Sequence, residues 1–274
     1  MQQLLKSKFT LLMLKEITSL HNPLIKKILL LQEKSKLRRE ENAFIIDGLK
    51  EIKMAMKNDF DLTHIFFLSA YKNEIQALRT NAELIQLDTA VFEKIAYRGN
   101  TSKAIAIAQQ KHLTLSEIKC DKQPFFIVLD GIEKPGNIGA MLRIADAANV
   151  TAVLISDAKT DLYNPNVVRS SVGCIFSKQI IIDTKENILA YLKYNNVSIF
   201  TTSLKSSKDY LKVDYNLSCA IVVGTEAEGV NAFWEENSTQ NIIIPMRGQN
   251  DSLNVSNSLA IVIFEALRQR ALSQ

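Results

Sequence analysis

From residue 125 onward the sequence carries six short runs that are apolar without alternation: 125–129, 152–155, 179–182, 197–201, 220–223 and 242–244. A strand with one face in water alternates apolar and polar residues, whereas a strand covered on both faces is apolar throughout. Helical stretches separate most of these runs, so the pattern predicts an α/β domain over 125–274 built on a parallel sheet. Upstream lies a smaller α/β alternation, with strands expected at 43–46, 65–68, 84–87 and 104–108 and helices between them. It predicts a separate N-terminal domain over 16–110. Residues 111–124 have polar interruptions, no clear period and end at Pro124, which reads as a linker. Residues 1–15 are expected to form a disordered extension, with Met13 a candidate natural start.

Size permits this division, since 274 residues hold two ordinary domains with ample core. The net charge of +4 is mild and admits an anionic partner without requiring one. Cys120, Cys174 and Cys219 are far apart and form no CxxC pair, so buried free thiols in a reducing cytoplasm are expected. His21, His64 and His112 are equally scattered, and no metal site is expected. No apolar run approaches the roughly 18–20 residues of a membrane span.

Asn22-Pro23 marks a helix start, with Asn as N-cap and Pro in the first helical position. Leu24, Ile28, Leu31 and Leu37 follow as an apolar stripe. The other face carries Lys26, Lys27, Lys34, Lys36, Arg38 and Arg39. Such a face is either simply solvated or tracks phosphates; on the second reading Lys26, Lys27, Lys36, Arg38 and Arg39 contact RNA. The basic loop 97–103 could touch RNA too, or be a plain turn.

Nothing matches a P-loop, a GxGxxG fingerprint or a GxSxG elbow. Three segments of the second domain do combine a strand end, a polar loop and a helix start, the place where open α/β sheets bind ligands. The first runs from Asp130 to Arg143. Asn137 is a candidate cap for its helix, and the small neighbours Gly139 and Ala140 leave the Arg143 guanidinium accessible, unless Arg143 merely pairs with Asp146. The second, Gly224-Thr225-Glu226-Ala227-Glu228-Gly229, follows strand 220–223; a Gly there lets a ligand lie against the backbone. In the third, 242–256, Pro245 ends a strand, and Gly248 to Ser252 form a polar loop before a long helix.

In this order and spacing the three segments resemble the motifs of the SpoU/TrmH family of RNA ribose 2′-O-methyltransferases. Asn137 to Arg143 resembles the first motif, GTEAEG at 224–229 the second and IPMRGQNDSLNVS at 244–256 the third. Asn164-Pro165-Asn166-Val167-Val168-Arg169-Ser170-Ser171-Val172-Gly173 also matches a family segment, and residues 17–110 resemble, more loosely, the family's RNA-binding domain. The resemblance implies a knotted (SPOUT-type) methyltransferase domain, S-adenosylmethionine as methyl donor, an RNA substrate (rRNA before tRNA), and a homodimer with its active site at the interface. It places Gly224, Ile244 and Leu253 at the cofactor, with Met246 and Leu204 nearby. It places Asn137, Arg143, Glu226, Ser252 and Asn254 in the catalytic site. The competing readings are an inactive RNA-binding protein that keeps the fold, which a missing Arg143 or a broken third motif would mark, and a small-molecule α/β enzyme, which leaves the basic helix unexplained.

Overall fold

The computed structural model describes residues 15–97, 102–205, 207–226 and 229–272. The expected N-terminal extension lies outside the described residues except for Lys15, and so does most of the basic loop, at 98–101. The chain divides into two units. One comprises the residues up to Ile52 together with Asp61–Gln109; the other comprises Lys53–Phe60 and Gln110–Gln274.

In the first unit the described elements are β1 (Lys15–Ile17), α1 (Pro23–Glu33), α2 (Ser35–Glu40), β2 (Ala43–Asp47), α3 (Leu49–Lys57, which runs past the division), β3 (Leu62–Leu68), α4 (Lys72–Gln76), β4 (Glu83–Leu87), α5 (Thr89–Ile95) and β5 (Ala104–Gln109). They form a five-stranded sheet in the order β1-β4-β3-β5-β2, with β5 antiparallel to both neighbours. Asn22 caps α1 as its sequence predicts: its side chain accepts from the Leu24 N–H at 2.9 Å, and Pro23 takes the first helical position. Ile25, Ile28 and Leu31 bury the inner face against Phe66, Ile85 and Phe92.

The single helix expected through Leu37 is broken at Lys34, whose backbone is extended. That break changes the fate of one basic residue. Arg38 is buried, only 1% exposed, and its guanidinium donates to the carbonyls of Leu31 (2.7 Å) and Gln32 (3.3 Å). Cationic side chains satisfy the open carbonyls at helix C-termini in this way. Arg38 is therefore a structural clasp on the end of α1, which corrects its assignment to a phosphate-facing surface. Lys26, Lys36 and Arg39 are exposed, Lys27 is half-buried, and Lys27 and Lys36 pair with Glu41 and Glu40.

The second unit holds β6 (Phe125–Asp130), α6 (Pro135–Ala147), β7 (Ala152–Ser156), α7 (Pro165–Ser170), α8 (Cys174–Ser177), β8 (Gln179–Asp183), α9 (Lys185–Tyr194), β9 (Ser198–Thr202), β10 (Lys208–Asp209), β11 (Cys219–Val223), α10 (Ala232–Asn237), β12 (Gln240–Ile243) and α11 (Val255–Leu272). Its seven strands are all parallel, in the order β10-β12-β9-β11-β6-β7-β8. β6, β7 and β11 are buried along their whole length, as continuously apolar strands require. The winding runs outward from β6 through β7 to β8, then crosses to β9 and leaves a gap that β11 fills. The strand order thus reverses between β6 and β11, the kind of position at whose carboxyl ends open α/β sheets bind ligands.

Residues 111–124 do not hang free. Leu113 bridges to Ile181, and Leu113, Leu115 and Ile118 pack on the core of the second unit, built from residues such as Phe126, Leu154, Ile188 and Trp234. Of the three thiols Cys219 is buried as expected, but Cys120 is exposed beside the Tyr191 hydroxyl. Among the described residues no helix is long and apolar enough to cross a membrane.

Candidate active site

A cavity of about 430 Å³ opens at the carboxyl ends of β9, β11 and β12. Its walls include Leu204 after β9, Gly224 and Glu226 after β11, Ile244 and Met246 after β12, and Ser252 and Leu253 before α11. All five residues expected at a cofactor, and two of the five expected in a catalytic site, thus share one hollow. Leu204 and Leu253 are 62% and 40% exposed, apolar side chains left in the open at its rim.

Gly224 is there for space. A Cβ at this position would stand 2.1 Å from the Gly229 carbonyl oxygen and 2.4 Å from the Val230 Cα. The returning loop presses against the strand end, held by Thr225 N–H donating to the Gly229 carbonyl (2.8 Å) and Gly229 N–H donating to the Thr225 carbonyl (3.1 Å). Gly229 has φ +74°, which glycine adopts at no steric cost. The loop exit is fixed by Asp130 at the end of β6: its buried carboxylate accepts from Ser156 Oγ (2.7 Å) and from the Asn231 N–H (3.1 Å).

The three strand-end loops meet on the Glu226 carboxylate. Asn137 Nδ2 and Lys134 Nζ donate to it, and Asn254 Nδ2 donates at 3.2 Å while lying 3.5 Å from Asn137 Oδ1. The Lys134 ammonium, with the Asn137 amide, holds the Glu226 carboxyl below the ordinary carboxylate value, against the opposing pull of partial burial. The arrangement also answers a local need. α6 has no acidic residue in its first turn and no side-chain cap, and a carboxylate at the positive end of its dipole is favourable. Glu226 supplies that charge from another element.

Asn137 is not the cap of α6, as its sequence position suggests. Pro135 takes the first helical position, so Lys134 is the cap residue and Asn137 is the third residue of the first turn, where it reaches Glu226. Asn254 does cap α11, accepting from the Ser256 N–H at 3.0 Å, while its amide faces Glu226. Lys134 had no signal in the sequence, because its partner lies 92 residues away.

Arg143 stands apart. It is exposed and is not part of the cavity wall. Six residues along a helix put it about 9 Å beyond Asn137 and roughly 120° around the axis. Nor does it pair with Asp146, which instead accepts from Ser177 Oγ at 2.5 Å. Among the described residues no group of three or more His, Cys, Asp or Glu side chains is placed to hold a metal.

Residues 124–264 match the SpoU rRNA methylase family model, and residues 22–106 match an MRM3-like substrate-binding domain. The chain is 28% identical to the 23S rRNA (guanosine(2553)-2′-O)-methyltransferase RlmP of Bacillus subtilis, over 92% of this chain and 98% of the relative. A solved RNA 2′-O ribose methyltransferase superposes with TM-score 0.81 at 36% identity, covering 93% of this chain and 99% of the other. An AdoMet-bound rRNA methyltransferase from Sinorhizobium meliloti superposes with TM-score 0.87 at 27% identity, covering 93% and 98%. With a family model spanning half of its length and its three strand-end motifs gathered on one carboxylate, the chain belongs to the SpoU rRNA methylase family.

Proposed function

We propose that the chain is an S-adenosylmethionine-dependent methyltransferase that modifies a ribose 2′-hydroxyl of rRNA in the cytoplasm. The observation that carries this reading is the junction of Asn137, Glu226 and Asn254 at the wall of the cavity lined by Gly224, Ile244, Met246 and Leu253. The named functions of the relatives support rRNA as the substrate class.

The cavity suits the donor. Its volume falls within the roughly 300–1,000 Å³ of small-molecule sites, and it combines apolar walls with a few polar groups. Leu204, Ile244, Met246 and Leu253 offer the adenine an apolar surface, and Gly224 keeps the backbone close. S-adenosylmethionine, when bound, supplies an electrophilic methyl on a sulfonium centre. Asn137 and Asn254, fixed by Glu226, hold the attacking hydroxyl near that end of the cavity, so positioning provides much of the effect. Arg143 is permanently charged and a poor base. Its part is to hold the neighbouring phosphate and stabilise the charge that develops on the 2′-oxygen as its proton passes to solvent.

Because Arg143 is exposed and stands away from the junction on its own chain, the reading includes a homodimer in which a second protomer's Arg143 completes each site. Phe264, half-exposed on α11, is an apolar surface such a dimer would cover. The third-motif loop, followed by α11 returning against α6, is read as the family's knot. The exposed basic residues Lys26, Lys36 and Arg39, with Lys27, track the RNA backbone. Calorimetry with S-adenosylmethionine, followed by tritium transfer to rRNA from cells lacking the gene, tests the whole reading. Saturable binding and transfer at a single 2′-oxygen are expected. Binding without transfer to any RNA would leave an inactive RNA-binding protein and overturn the proposal.

A further inference from the structure

Three carboxylates line the cavity, and they are not equivalent. Glu226 already accepts from three donors, Lys134, Asn137 and Asn254. Asp251 is exposed and accepts from Ser252 Oγ at 2.9 Å. Glu235, on α10, is different: its side chain is only 18% exposed. One oxygen accepts from Ser203 Oγ at 2.5 Å; the other lies 3.8 Å from Lys205 Nζ, which is ion-pair distance but too long for a hydrogen bond. A carboxylate has about four acceptor positions, and polar atoms withdrawn from water are normally satisfied. Glu235 therefore presents spare acceptor capacity to the hollow.

Its place along the sheet says what it meets. The Asn137–Glu226–Asn254 junction sits at the ends of β6 and β11, whereas Ser203 follows β9, beyond β11. At the ordinary interstrand spacing, β9 lies about 10 Å from β6. Glu235 thus lies to one side of the junction, where the body of a bound nucleoside can face it while the reacting methyl faces Asn137 and Asn254. Lys205 already counters its charge, and a second cation there would meet like-charge repulsion. What remains to be accepted is a pair of neutral donors.

We infer that Glu235 binds the vicinal hydroxyls of the methyl donor's own ribose, and that it selects for an intact ribonucleoside in the cavity. The inference rests on the reading of the cavity as an S-adenosylmethionine site. A carboxylate opposite two adjacent hydroxyls is how dinucleotide-binding folds recognise a ribose, by the same geometry of two acceptors and two donors.

Calorimetry with three probes tests it: S-adenosylhomocysteine, 5′-methylthioadenosine, which keeps the ribose but lacks the amino-acid tail, and 2′,3′-dideoxy-5′-methylthioadenosine. Glu235→Ala should weaken the first two by the same factor, about 10- to 100-fold for lost hydrogen bonds to a charged group. The dideoxy probe should bind wild type that much more weakly, and Glu235→Ala should cost it nothing further. Glu235→Gln, which keeps shape and one acceptor, should fall between. A loss confined to S-adenosylhomocysteine would assign Glu235 to the amino-acid end and overturn the inference. Equal losses for ribose and dideoxy probes would show a merely structural role and overturn it too. If wild type binds neither S-adenosylhomocysteine nor 5′-methylthioadenosine, the cofactor reading itself fails, an outcome distinct from the other two.

Discussion

Replacing Gly224 by Ala adds one methyl group where the structure has no room for it. The new Cβ would meet three backbone atoms, the Gly229 carbonyl oxygen at 2.1 Å and the Gly229 carbonyl carbon and Val230 Cα at 2.4 Å. Real Cβ atoms keep at least 3.0 Å, so the loop must retreat by roughly 1 Å. No side-chain rotation can relieve the clash. The retreat breaks the two hydrogen bonds between Thr225 and Gly229, each contributing about 1 kcal/mol, and leaves overpacking of about 1–3 kcal/mol. The local cost is therefore about 3–5 kcal/mol. Glu226, next but one in sequence, moves with the loop away from Asn137 and Asn254; a displacement of this size at a reacting site costs on the order of 100-fold in rate. Gly248→Ala is the control, since a Cβ there meets nothing within 4 Å and should change stability by no more than about 0.5 kcal/mol. Urea unfolding at an unchanged m-value and calorimetry with S-adenosylhomocysteine read both effects. If Gly224→Ala matches Gly248→Ala in midpoint and in affinity, the close approach of the loop is not what shapes the cavity.

Arg143→Ala should lower methyl transfer by about 100- to 1,000-fold and leave S-adenosylhomocysteine affinity within twofold, because Arg143 lies off the cavity wall; near-full turnover in a tritium assay would remove it from the mechanism. The depressed Glu226 pKa means that its contribution is complete above the ordinary carboxyl value of 4.5 and is lost only as pH falls below it. S-adenosylhomocysteine affinity should therefore stay flat from neutral pH down to about pH 5 in wild type, whereas Glu226→Gln should show no acid-dependent step; a wild-type loss already complete by pH 6 contradicts this. Arg38→Met should destabilise by about 2–3 kcal/mol, since it leaves carbonyls at the end of α1 unanswered. Lys36→Ala should be neutral to stability and reduce the slope of log affinity for RNA against log salt by about 0.7–0.9; the reverse pattern would return Arg38 to the RNA-facing surface.

What the residues disclosed and what they hid follow a physical line. β6, β7 and β11 were the most legible strands because burial on both faces leaves almost no polar position to blur their pattern. β10, a two-residue Lys-Asp strand, and β1, three residues with only Ile17 buried, are too short to carry a period. The break at Lys34 has no Gly or Pro to announce it, and it is what turns Arg38 inward, so a helical wheel drawn through the break placed a buried cation among exposed ones. The cap of α6 could have been read correctly: Pro favours the first helical position, so Pro135 points to Lys134 as cap and releases Asn137. Lys134 and Glu235 lay beyond such rules, because each takes its meaning from a partner on another loop.

The same distinction explains why this sheet order yields a site at all. Each motif alone is an ordinary strand-to-helix connection, and nothing local makes Asn137, Glu226 or Asn254 more than a polar residue near a helix start. They converge because β11 enters the gap beside β6 and because α11 returns to lie against α6, which brings the residue before α11 to the first turns of α6. Three polar side chains from 117 residues of sequence then share hydrogen bonds within 3.5 Å. Two amides and an ammonium facing one carboxylate form a neutralised junction, so on the proposed reading it can stand beside an anionic backbone without repelling it. A Glu226 left unpaired at that point would oppose an incoming phosphate. On the proposed reading, the Lys134 contact is thus what makes an acid tolerable beside the RNA.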